Sequence, residues 1–191
     1  MNWSTTVRRT AIVVLLTLAS IVVHELGHFV VCKIAGIPVK ISLQSVRPVG
    51  PVSPQVDRMA KAGGPTFSVV AAILCLVLVR YGSAFVWVTA AFTNAPIRLF
   101  PSVMDLVHAV KGVRPFSDEG DLALSWTTDP TGRTLLVMAP LVLYVALTVA
   151  AGQRFRFAKQ RLTALIGIYL LSLGVDIGVV LIDEALHPMA M

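Results

Sequence analysis

The chain has 191 residues, of which 56% are hydrophobic and 14% charged. Soluble domains are about 45–50% apolar and about 25% charged, so this composition excludes an ordinary water-soluble surface and points to a membrane protein. A formal charge of +6 would suggest nucleic acid in a soluble protein. Here the basic residues stand mainly between apolar runs, so the lipid bilayer is the expected partner and no nucleic acid is.

Arg8 and Arg9 precede an apolar run, as at the start of a signal peptide. The run continues to Val31 without a cleavage site and reads as a retained spanning helix over residues 10–35. Gly36 and Pro38 end it. Residues 39–46, V-K-I-S-L-Q-S-V, alternate apolar and polar side chains, the pattern of a half-exposed strand. Residues 47–54 hold Pro48, Gly50, Pro51 and Pro54 and read as a loop, with a return strand over 52–56.

A second span is expected over residues 65–79, opened by Ala62-Gly63-Gly64-Pro65. A third covers 84–100, interrupted by Asn94 and Pro96. Residues 101–133 are the least apolar and contain Asp105, His108, Asp118, Glu119, Asp121 and Asp129. A fourth span over 134–151, a basic loop (Arg154, Arg156, Lys159, Arg161) and a fifth span over 162–182 complete the chain, with Asp183, Glu184 and His187 after it. The expected fold class is an all-α polytopic membrane protein, with about five transmembrane helices and a small β-hairpin after the first. It forms a single domain over 1–191. Either orientation leaves a similar number of Lys and Arg in the cytoplasm, so the positive-inside rule does not choose between them.

The chemistry concentrates in His24-Glu25-Leu26-Gly27-His28. Residues four apart on a helix share one face, so both imidazoles can reach one ion at about 2.0–2.1 Å, as zinc requires. Glu25 points about 100° away, beside the metal rather than at it, where it can serve as general base and acid. Zinc lowers the pKa of water to about 7 and polarises a carbonyl. An ionisable group at mid-bilayer costs about 2.5–3.5 kcal/mol on insertion scales, and three within five residues demand a metal or a water-filled site.

The run H-E-L-G-H-F-V-V-C-K-I-A-G-I-P-V-K resembles the active-site helix and following strand of the site-2 protease family of intramembrane zinc metalloproteases. Ala62-Gly63-Gly64-Pro65 is similar to that family's Gly-Pro opening of its next helix. Asn94, followed by Pro96 and Phe100-Pro101, is similar to the segment before its third zinc ligand. The resemblance covers about residues 11–121, with additional helices over 134–182. It implies a zinc metalloendopeptidase active in regulated intramembrane proteolysis, cleaving membrane-anchored proteins from within the cell (plasma) membrane. It also implies Zn2+ held by His24, His28 and an aspartate, with Glu25 catalytic and Asn94 binding substrate.

Two positions depart from the family. Ser68 stands where the family usually has Asn, and no Asp-Gly follows the Asn-Pro segment. For the third ligand, Asp118 opens a possible helix in a polar loop and is favoured over Asp105, which has apolar flanks, and over Asp121. Asn94 has an alternative role in an interhelical hydrogen bond. Asp176, inside the fifth span, reads as one half of a polar pair or as lining for a water path. A competing function is a non-proteolytic metal-binding membrane protein, a degenerate member of the same family. A small transporter is a third reading, but the chain shows no repeat symmetry.

Overall fold

Helix α1 (Trp3–Ile34) runs without a break through the HELGH residues. Glycine ends it as expected: Gly36 takes a positive φ of 71°, and Ile37 N–H returns to Cys32 O at 2.9 Å. The structure is a computed structural model that describes residues 3–81, 83–154 and 158–186, with the side chains of 158–162 excepted. His187 and Arg156, and the side chains of Lys159 and Arg161, lie outside the described residues.

The strand expected over residues 39–46 is instead a whole hairpin. Strand β1 (Val39–Ile41) pairs antiparallel with β2 (Val46–Pro48), and Lys40 stands opposite Arg47. The return strand therefore lies earlier than residues 52–56. The turn is closed by serines, with Ser42 N–H to Ser45 O at 2.9 Å and the two hydroxyls 2.8 Å apart.

Helix α2 (Pro54–Leu78) begins eleven residues before Pro65, so that proline is interior rather than at the opening. Ser53 caps the earlier start by accepting from Val56 N–H at 3.3 Å, and Pro54 sits in the first turn. Asp57 and Lys61 add an i,i+4 ion pair of 2.8 Å.

The third apolar run breaks at Pro96 into α3 (Ala84–Asn94), a 3-10 turn (Pro96–Arg98) and α4 (Leu99–Lys111). Helix α5 (Asp118–Trp126) is short. Helix α6 (Pro130–Gln153) is capped by Asp129, which accepts from Gly132 N–H at 2.7 Å, and α7 (Ala158–Leu186) ends the described chain.

Among the described residues four helices are long and apolar enough to cross a membrane: Trp3–Ile34, Pro54–Tyr81, Pro130–Gln153 and Thr163–Leu186. The run over 84–100 does not join them, because its helix α3 is only 11 residues long. The apolar windows of the four helices are only 11–28% buried inside the protein. Large side chains such as Leu15, Val22, Leu135, Val142, Leu170 and Leu181 face outward. An apolar exterior of this extent suits lipid rather than water.

Inside, Val13, Val88, Phe92, Ala151 and Ile168 form one core cluster, while Ala72, Ala95, Tyr144 and Leu147 form another. Helix α1 lies chiefly against α2, with α3 and α7 beside it. The α1–α2 contact is backbone on backbone: a Cβ built on Gly27 would overlap the Gly63 carbonyl, and one on Gly63 would stand 2.5 Å from Gly27 O. Small residues permit such an approach between membrane helices. It places the histidines of α1 directly over Gly64 of α2.

Candidate metal centre

His24 and His28 are both buried on the α2-facing side of α1. Each ring is oriented through its Nδ1. His28 Nδ1 lies 2.7 Å from Ala60 O, and a carbonyl only accepts, so Nδ1 carries the proton and Nε2 keeps its lone pair. His24 Nδ1 lies 3.1 Å from Ser68 Oγ. The position that departs from the family pattern thus touches a histidine of the motif.

Asp118, the first residue of α5, completes the group. Its Oδ2 lies 3.1 Å from His24 Nε2 and 3.4 Å from His28 Nε2, and the two nitrogens are 3.2 Å apart. Three ligands at about 2.0–2.1 Å in tetrahedral geometry stand about 3.3–3.4 Å from one another, so this triangle has the dimensions of one face of a zinc site. With Nδ1 of His24 protonated as in His28, the lone pairs of two imidazoles and a carboxylate converge on one point, where a cation relieves their repulsion. The residues therefore fit a metal ion, and Asp105 and Asp121 are outside the group.

Gly64 keeps the space clear. A Cβ there would stand 2.6 Å from His24 Nε2 and closer still to His28 Nε2. Gly64→Ala is accordingly expected to weaken zinc binding about 10–100-fold, the range for disturbing a ligand's support. Zinc titration of the folded variant checks this, and an unchanged affinity would contradict it.

Asp105 is buried for another reason. It accepts from Phe116 N–H at 2.6 Å, Ser117 N–H at 3.0 Å and Gly120 N–H at 3.1 Å, and also from the Ser117 hydroxyl. It holds the loop before α5 and the first turn of that helix, and so delivers Asp118 to the histidines.

Burial disfavours the Asp118 carboxylate, but the His24 and His28 rings at its Oδ2 and the charge of Arg98 outweigh it and hold that carboxyl well below its usual range. Arg98 Nη2 lies 3.7 Å from Asp118 Oδ2. Its Nε and Nη2 also form a bidentate pair with the buried Glu119, at 3.1 and 2.8 Å, and Tyr144 donates to Glu119 at 2.8 Å. Arg98 was readable as an ionisable residue in an apolar run, two positions after Pro96. Its link to Glu119 and Tyr144 carries no local signal.

His24, Arg98 and Asp118 line a cavity of about 500 Å³ together with Glu25, Asn94, Gln44 and Asp176. The backbone amide of Val46 in β2 faces the Glu25 carboxylate, whose Oε2 has no hydrogen-bond partner among the described residues. Asn94 does not bridge helices in the described structure. Its Nδ2 donates to Ala90 O at 2.8 Å within α3, and its buried Oδ1 is unpartnered among the described residues. Asp176 accepts from Gln44 at 3.1 Å, while Asp183 accepts from Ser42 and from Leu43 N–H, so α7 holds the hairpin turn. His108 Nδ1 donates to Arg114 O at 2.6 Å, away from the metal centre.

Scans against protein-family models, curated proteins and solved structures find no match to this chain.

Proposed function

We propose that this chain is an intramembrane zinc metalloprotease of the site-2 protease type, cleaving membrane-anchored proteins in or near their transmembrane segments. The observation that carries the reading is the His24, His28 and Asp118 triangle with a fourth group outside it, the Glu25 carboxylate, in the same polar cavity. A structural metal site needs no such base, which disfavours the purely metal-binding alternative. Zinc held there supplies Lewis acidity to the scissile carbonyl and water that is nucleophilic near neutral pH.

Glu25 accepts the proton of the attacking water and returns it to the leaving nitrogen. Asn94 Oδ1 accepts from a backbone N–H of the substrate. A helical substrate hides its peptide groups in its own hydrogen bonds and has to unwind first, and the hairpin edge offers backbone groups for an unwound segment. In the five-span arrangement of this reading, residues 84–100 cross the membrane as a span broken at Pro96. The cell membrane is its setting.

The test is zinc content followed by cleavage. Detergent-purified protein is expected to hold about one zinc per chain and to cut apolar transmembrane reporters in vesicles, with cleavage stopped by chelation and restored by zinc. Protein that binds no zinc while folded, or that holds zinc and leaves a broad reporter library intact, would refute the proposal.

A further inference from the structure

Arg98 is placed at the metal centre by the break at Pro96, on the turn that follows Asn94. Its guanidinium is held as a fixed plane. Glu119 takes Nε and Nη2, and Glu119 is itself held by Tyr144 and by Ser117 Oγ at 2.7 Å. The Asp118 oxygen that meets both histidines is 3.7 Å from Nη2, so the arginine stands one ligand atom away from the ion's place. A bare guanidinium there would repel a dication, and Glu119 offsets that charge. The pair with Glu119 uses Nε and Nη2 and not Nη1, and Arg98 lines the cavity.

Four residues earlier, Asn94 lines the same cavity and is 6% exposed, and its Oδ1 is an acceptor unpartnered among the described residues. A peptide group carries one donor and one acceptor. Asn94 Oδ1 suits the N–H, and Arg98 suits the carbonyl oxygen.

We propose that Arg98 is a catalytic residue, donating from Nη1 to the scissile carbonyl oxygen as that oxygen becomes negative. This rests on the proteolytic reading. Water oxygen bonds to the carbonyl carbon, and the C=O π pair moves onto the oxygen that Arg98 faces. When that pair returns, the C–N bond breaks, and the nitrogen leaves with the proton carried by Glu25. A donor aimed at the developing charge stabilises the transition state more than the bound peptide.

The experiment measures binding of two probes to zinc-loaded protein. One is an apolar peptide with a tetrahedral, anionic phosphinate in place of one peptide bond. The other is the parent peptide, bound in a Glu25→Gln background that does not cleave it. Arg98→Gln is expected to keep its zinc and to lose about 10²–10³-fold in phosphinate affinity. Parent-peptide affinity should change by less than about threefold.

Arg98→Gln leaves Glu119 buried without its cation and risks misfolding. The double variant Arg98→Gln/Glu119→Gln removes both charges and should show the same selective loss. Parallel weakening of both probes, or no weakening of the phosphinate, would overturn the assignment of Arg98 alone. Wild-type protein that holds zinc but binds neither probe would overturn the proteolytic reading and this assignment together.

Discussion

Glu25→Gln is expected to abolish peptide hydrolysis while leaving about one zinc per chain in place. Gln has the same shape as Glu but cannot take a proton at neutral pH. Glu25 is next to His24 in sequence, yet the ligand triangle consists of His24, His28 and Asp118. The substitution thus leaves the three donors untouched and removes the carboxylate proposed to move protons. Loss of a general acid–base costs about 10²–10⁴-fold in rate, and in the proposed mechanism one group serves both steps, so the upper part of that range is expected. His28→Ala is the complementary control and should lose zinc and cleavage together. Zinc analysis and cleavage of one reporter by both variants check this. A Glu25→Gln protein with near-normal turnover would place the base elsewhere.

Asp105→Ala should be the most damaging change outside the triangle. It strands the backbone N–H groups of Phe116, Ser117 and Gly120. Gly120 is buried, whereas Phe116 is exposed and Ser117 half-buried and can turn to water, so the loss expected is that of one buried unpaired donor, about 1–3 kcal/mol. The damage is local, since these amides form the path into α5. Asp118 then loses its fixed position, and zinc affinity should fall at least about 10²-fold. Asp105→Asn retains one acceptor oxygen and should fall between the two. Denaturant unfolding, amide exchange across α5 and zinc titration check this. Wild-type zinc affinity in Asp105→Ala would show that α5 holds its place without the cap.

The parts of the molecule that were legible in the sequence are those whose cause is local. The i,i+4 spacing of His24 and His28 fixes their common face wherever the helix lies, and Gly36 and Pro38 stop that helix. Asp118 was favoured over Asp105 because it opens a helix in a polar loop, and the structure brings it to the histidines. The four-residue turn of the hairpin was not legible. Its sequence, Ser42 to Ser45, has neither glycine nor proline, and its stabilising partners Asp176 and Asp183 lie on α7. The early start of α2 was hidden by Pro65, which resembles a helix opening but sits inside one. The pairing of Arg98 with Glu119 and Tyr144 joins three elements by tertiary packing.

The contact between Gly27 and Gly63 has a mechanical consequence. With no side chain between them, α1 and α2 can neither turn about their axes nor slide past each other without collision. His24, His28 and the α2 groups that orient their rings therefore behave as one jaw of fixed shape. Asp118 is the opposing jaw, separated from His24 by 94 positions along the chain and set in place by Asp105. An ion gripped between the two acts as a cross-link closing a long loop, and part of its binding energy becomes folding energy of the segment that carries Asp118.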